Sequence, residues 1–132
     1  MDLAVIASIA AALAAAVHGY IFVLEALRWE APGTRRIFGT TSEQAAQSKQ
    51  LAGNQGVYNL LLAVAAIAGV LAILAGARLA GIAVLLTATG IMLTAALYLV
   101  VSDRTKARAA VVQGLFPAIA VVTGLIALGQ VV

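Results

Sequence analysis

The sequence predicts an all-α fold: a four-transmembrane-helix antiparallel bundle with both termini outside the cytoplasm. Three observations carry this expectation. Hydrophobic residues fill 64% of the 132 positions and charged residues only 10%, giving a mean hydropathy of +1.08. The apolar residues gather into four runs, each near the roughly 20 residues needed to cross a hydrocarbon core of about 30 Å. Basic residues fall almost entirely in two segments that two crossings of the membrane would return to the same side. A soluble domain of this length would need far more charge to cover its surface, so one integral membrane domain over residues 1–132 is expected.

The first span is read from about Leu3 to Leu27, interrupted only by His18, Tyr20 and Glu25. It is not read as a cleaved signal peptide, because Asp2 stands where a basic region would be expected. The second span runs from about 51 to 75, the third from about 79 to 101 and the fourth from about 109 to 132. Gly76-Ala77-Arg78 joins the second to the third, which is short enough to force an antiparallel hairpin. The loop from about 28 to 50 opens on Ala31-Pro32-Gly33, a turn signal. It closes on Thr41-Ser42-Glu43-Gln44, the pattern of a capping box with Thr41 as N-cap. The helix started there is expected to run along the interface before entering the membrane at Leu51.

Arg28, Arg35, Arg36 and Lys49 lie in the first loop and Arg104, Lys106 and Arg108 in the third, leaving Arg78 alone on the other side. The positive-inside rule puts both basic loops in the cytoplasm and predicts a multi-pass protein of the cell membrane, the inner membrane in a bacterium. The net charge of +3 is accounted for by that topology, so membrane lipid rather than nucleic acid is the expected partner. Small residues recur every four positions at Ala7, Ala11, Ala15 and Gly19 and at Ala68, Ala72 and Gly76. Such stripes let helices approach closely and leave a homo-oligomer open.

The chain has no cysteine, which excludes disulfides, iron–sulfur clusters and thiolate metal sites. One histidine and one membrane carboxylate fall short of a zinc ligand set, and neither H-E-x-x-H nor a glycine-rich phosphate loop occurs. No metal and no cofactor is therefore expected. Gly53 and Gly56 read as helix-packing residues.

Polar residues in the spans crowd toward the basic side. At 100° per residue His18, Phe22, Glu25 and Trp29 fall within about 60° of one another on a helix. His18 lies ten residues from Arg28, about 15 Å at 1.5 Å per residue, close to mid-membrane. The second span opens with Asn54-Gln55-Gly56-Val57-Tyr58-Asn59, whose polar side chains span a face about 140° wide. Thr87, Ile91, Thr94, Tyr98 and Ser102 share a face of the third span. In the fourth, Pro117 cannot donate to the carbonyl of Gln113, leaving that oxygen free. The bland reading makes the amides, hydroxyls and tyrosines interhelical glue. On that reading Glu25 pairs with Arg28 or reaches water, and His18 bonds to Tyr58 or Asn59. Trp29, Tyr20 and Phe38 read as interfacial anchors or packing residues, with Trp29 also a candidate to contact substrate.

The joint set exceeds what four helices need for glue, and ionisable groups in lipid usually mark function. The expectation is a cytoplasm-facing polar pocket with His18 and Glu25 as an acid–base pair. Asn54, Gln55, Tyr58, Asn59, Tyr98, Gln113 and Trp29 would position a lipophilic small molecule. If the chain is catalytic, an isomerase, cyclase or hydrolase using acid–base chemistry fits. The alternatives are a small oligomeric transporter or exporter component, or a structural membrane protein. The nearly featureless outer halves of the spans argue against a transport path through a monomer.

The same residues resemble a known family. His18-Gly-Tyr-Ile-Phe-Val-Leu-Glu25, Trp29, Arg36-Ile-Phe-Gly39, Asn54-Gln-Gly-Val-Tyr-Asn59 and Gln113-Gly-Leu-Phe-Pro117 are similar to the domain-of-unknown-function 1304 family. The resemblance covers nearly the whole chain. It implies a small four-span membrane protein and supplies no activity.

Overall fold

The structure, a computed structural model, describes residues 2–132, and no strand occurs among them. In chain order it contains α1 (Leu3–Phe22), a π turn (Val23–Leu27), α2 (Pro32–Phe38) and α3 (Ser42–Leu74). Then follow α4 (Arg78–Ser102), a 3-10 turn (Arg104–Lys106) and α5 (Ala107–Gly129). Four stretches are long and apolar enough to cross a membrane: Leu3–Leu27, Ser42–Leu74, Arg78–Ser102 and Arg104–Gly129.

The ends of these helices are set by local chemistry. Asp2 caps α1 by accepting from the Ala4 N–H at 3.0 Å. At α3 the capping box forms in full, with the Gln44 N–H donating to Thr41 Oγ1 at 3.1 Å and the Thr41 N–H donating to Gln44 Oε1 at 2.9 Å. α3 consequently begins nine residues before Leu51 and runs unbroken through the second span. The Ala31-Pro32-Gly33 segment differs from expectation: it starts a short helix rather than a plain turn. Pro32 occupies the first helical position, where its missing N–H costs nothing, and Gly39 ends α2 at φ 69°.

Each of the four long helices packs against two others, α1 on α3 and α5, and α4 on α3 and α5. The core is built mainly of alanine, in three clusters. Ala14, Ala15, Ala63, Ala66, Ala88 and Met92 form the first, with Phe116 against it. Ala7, Ala10, Ala11, Leu85 and Ala120 form the second, and Ala4, Ile82 and Ala127 the third. Side chains this small allow backbones to approach until dispersion and close packing, rather than area burial, hold the helices together. A Cβ placed on Gly69 would lie 2.7 Å from the Leu85 nitrogen, and one on Gly81 2.7 Å from the Gly69 oxygen. α3 and α4 therefore meet backbone to backbone.

Of the two expected small-residue stripes, Ala7, Ala11 and Ala15 are buried as predicted. Ala68 and Gly76 instead lie exposed, and the α3 core uses Ala52, Gly56, Ala63, Ala66 and Gly69. In a helix rich in alanine several four-residue stripes compete, and the contacts of the neighbours decide between them.

The two ends of the molecule carry different chemistry. At one end Lys106 Nζ donates to the Phe38 carbonyl at 3.0 Å, and Lys49 pairs with Glu30. The other end brings Asp2 and Arg78 into an ion pair at 2.8 Å, beside Gln130 and Val131.

Candidate functional site

The π turn organises the site. Within Val23–Leu27 the helix widens, so each residue advances around the axis less than in an α-helix. The four-residue stripe expected from α-helical spacing is broken there. His18, on the α-helical side, points into the bundle and is 2% exposed. Glu25 and Trp29, within and beyond the wide turn, are half-buried and bond to α3.

Gly56 lets α3 press against this turn. A Cβ there would meet the Ala26 nitrogen at 2.9 Å, the Ala26 Cβ at 3.0 Å and the Glu25 Cβ at 3.2 Å. One turn further along α3, Asn59 Nδ2 donates to Glu25 Oε2 at 2.8 Å. The carboxylate thus lies between two helices, beside the close approach of Gly56 to Ala26. Nearer the basic end, Trp29 Nε1 donates to the Ala45 carbonyl at 3.0 Å and lies 3.1 Å from Ser48 Oγ. Its ring meets Phe38 edge-on, with centroids 4.9 Å apart and planes at 63°.

The remaining residues singled out in the sequence divide clearly. His18 Nδ1 lies 2.9 Å from the Ala14 carbonyl and makes no hydrogen bond to Glu25, Tyr58 or Asn59. Glu25 forms no ion pair with Arg28. Asn54, Gln55 and Tyr58 are exposed on α3, and Tyr98 is 74% exposed on α4. The face of Thr87, Thr94, Tyr98 and Ser102 points out of the bundle. Its threonine and serine hydroxyls are satisfied by their own helix, Thr87 Oγ1 by the Ala83 carbonyl, Thr94 Oγ1 by the Gly90 carbonyl and Ser102 Oγ by the Leu99 carbonyl. Gln113 is half-buried, and Pro117 is packed inside the bundle. The structure therefore joins Glu25 to Asn59 and does not bring Asn54, Gln55, Tyr58 or Tyr98 to them.

Sequence reading missed the π turn and the partners of Trp29, Ala45 and Ser48. Gly56 was read as a packing residue and is one; Gly53 has nothing within 4 Å of a Cβ and is not. Among the described residues, no three His, Cys, Asp or Glu side chains gather as a metal site would require.

Two hollows lie away from the Glu25–Asn59 contact. One is the cleft beside Asp2 and Arg78. The other is a groove of about 520 Å³ between α1 and α3, lined only by apolar side chains from Ala12 to Ala16 and from Ala63 to Leu71.

Four apolar helices of crossing length, with His18 buried in the bundle and Glu25 bonded across it to Asn59, are those of a multi-pass membrane protein. Residues 12–125 match the family described as "Protein of unknown function (DUF1304)", and the chain belongs to that family. Neither a curated protein nor a solved structure matches it.

Proposed function

We propose that the chain is a single membrane domain that binds a small lipophilic molecule at the Glu25–Asn59 contact, with Glu25 and His18 as its acid–base groups. On this reading the helices form an antiparallel bundle with both termini outside the cytoplasm. The core clusters support the antiparallel order, because from the first cluster to the third the residue numbers fall along α1 and α4 and rise along α3 and α5. The gathering of Arg28, Arg35, Arg36, Lys49, Arg104, Lys106 and Arg108 supports the orientation.

The single observation that carries the functional reading is the carboxylate of Glu25 set in a π turn and bonded across the seam to Asn59. A π turn interrupts the regular helix at a cost and is found disproportionately at functional sites. A carboxylate in the hydrocarbon layer is likewise expensive to keep without a use. Proton transfer at Glu25, with Asn59 orienting the bound molecule's polar group, suits isomerisation or cyclisation of a lipophilic substrate.

A second reading is favoured by the directness of the Glu25–Asn59 bond across the seam and of the His18–Ala14 contact within α1: the polar groups are satisfied internally and serve only the packing of the helices. The two are separated by comparing wild type with His18→Ala and Glu25→Gln. The glutamine can keep a hydrogen bond to Asn59 while losing the ionisable proton. Loss of a bound small molecule or of the cellular phenotype in Glu25→Gln, at unchanged thermal stability, supports the site. An unchanged bound-molecule profile and phenotype in both variants supports glue.

A further inference from the structure

The basic residues at one end of the molecule come from two segments far apart in sequence, and one hydrogen bond brings those segments together. Lys106, in the 3-10 turn between α4 and α5, donates from Nζ to the Phe38 carbonyl at 3.0 Å. The same ammonium lies 3.5 Å from where a Cβ on Gly39 would stand, so it sits against the C-terminal end of α2. Arg36 is two residues from Phe38, and Arg104 and Arg108 are each two residues from Lys106. All three arginines are exposed, and among the described residues none of them forms an ion pair. Lys106 uses one of its three N–H groups on Phe38 and keeps two. Within three residues of these four cations the only carboxylate is Asp103. Its Oδ1 already accepts from the Thr105 N–H at 2.9 Å and the Thr105 hydroxyl at 2.6 Å.

Apolar side chains continue this surface toward the bilayer. Ile37, beside Arg36, is 59% exposed. Val101 and Val111 stand three residues outside Arg104 and Arg108, are 80% and 62% exposed, and belong to stretches of crossing length. A ligand lying across this surface must offer negative charge at the level of the arginines and hydrocarbon about one turn deeper. We propose that the junction of α2 with the 3-10 turn binds the head group of an anionic phospholipid, its phosphate among Arg36, Arg104, Lys106 and Arg108 and its acyl chains along Val101 and Val111. A guanidinium presents paired N–H groups that match the oxygens of a phosphate, and each basic side chain near the surface adds to the attraction of anionic lipid. A soluble acidic protein would meet the cations but not the apolar rim, which lies at membrane depth. Such binding requires nothing of the Glu25–Asn59 contact.

Trp29 is the only tryptophan of the chain, and its ring meets Phe38 at a centroid distance of 4.9 Å, so its fluorescence reports from beside the junction. The test places the full-length protein in phosphatidylcholine vesicles containing a fraction of brominated phosphatidylglycerol or, in parallel, of brominated phosphatidylcholine. The two quenching curves give the binding constant of one lipid relative to the other around Trp29. Wild type is expected to prefer the anionic lipid about five-fold. Arg104→Gln with Arg108→Gln should bring that preference below about two-fold, and Arg36→Gln alone should reduce it by about half. Arg28→Gln with Lys49→Gln removes the same charge from the same end without touching the junction, and should retain the preference. The three junction arginines are exposed and unpaired, so their variants should keep the wild-type circular dichroism and thermal midpoint.

Equal quenching of wild type by the two brominated lipids would overturn the proposal, leaving the cations to topology or to a soluble acidic partner. Equal losses in the Arg104–Arg108 and Arg28–Lys49 variants would give the preference to the charge of the whole end and overturn its placement at the junction. An undiminished preference in Arg36→Gln would likewise overturn the joint site, because α2 would then take no part in it. Should the Arg104–Arg108 variant fail to fold, Arg36→Gln set against Arg28→Gln with Lys49→Gln decides the matter in the same way.

Discussion

The Asn59 amide and the Glu25 carboxylate meet at 2.8 Å across the α1–α3 seam, and Glu25 belongs to the one π turn among the described residues. The bond joins residues 34 positions apart and sets the register between the first and second spans. It also explains why the wide turn is tolerated: the irregular backbone lies against another helix rather than against lipid.

If that bond is structural as well as functional, Glu25→Ala and Asn59→Ala should be non-additive. Each single change is expected to destabilise by about 1 kcal/mol, and the double change by little more than either alone. Reversible denaturant unfolding in micelles measures this. Strictly additive losses would show that the two side chains do not interact in the membrane.

Gly56→Ala should separate α3 from the π turn, because its methyl group would fall within 3.0 Å of Ala26 atoms. Overpacking of this kind costs about 1–3 kcal/mol. Gly53→Ala, three residues away and open on that side, should be neutral or stabilising by up to about 1 kcal/mol through helix propensity alone. Thermal midpoints of the two purified variants decide the comparison, and equal behaviour would contradict the packing described.

The first turn of α3 depends on Thr41. Thr41→Ala removes the oxygen that accepts from the Gln44 N–H and should cost about 1 kcal/mol at that helix end. Amide exchange should quicken at Gln44 and its neighbours and stay unchanged beyond Leu51. Uniform loss of protection along α3 would mean that the cap supports the whole span.

At the opposite end, the Ala4 N–H bonded to Asp2, followed by the Arg78 guanidinium, holds the Asp2 carboxyl below its ordinary value of 3.8. A carboxyl whose folded value is depressed stabilises the fold above its unfolded value, and that contribution is lost as pH falls through the folded one. The difference in thermal midpoint between wild type and Asp2→Asn should therefore shrink between about pH 6 and about pH 3. Asp103, lowered chiefly by the Thr105 hydroxyl, titrates in the same direction and cancels in that difference. A difference independent of pH would contradict the role of the charged form.

How much of this was legible in the sequence depends on which signal had competitors. The four apolar runs and the Thr41–Gln44 capping box had none, and both appear as expected. Placement around the helix axes was harder. Hydropathy barely distinguishes one face from another where alanine, leucine and valine surround every span, so Tyr98 and Tyr58 gave no sign that they lie outside the bundle. A single stripe of His18, Glu25 and Trp29 requires one helical pitch throughout. The Val23–Leu27 turn breaks that condition, and no residue in it marks the widening in advance. The pairing of Glu25 with Asn59 depends on Gly56, whose lack of a side chain was visible but whose partner was not.

Whether the Glu25–Asn59 contact holds a lipophilic molecule is decided by native mass spectrometry of the wild-type chain released from its own membranes. The wild-type chain should retain an adduct of one defined mass, smaller than a two-chain phospholipid, that is absent from Glu25→Leu prepared in the same way. A wild-type spectrum showing the bare chain, or only the phospholipid masses that Glu25→Leu also retains, would contradict that binding.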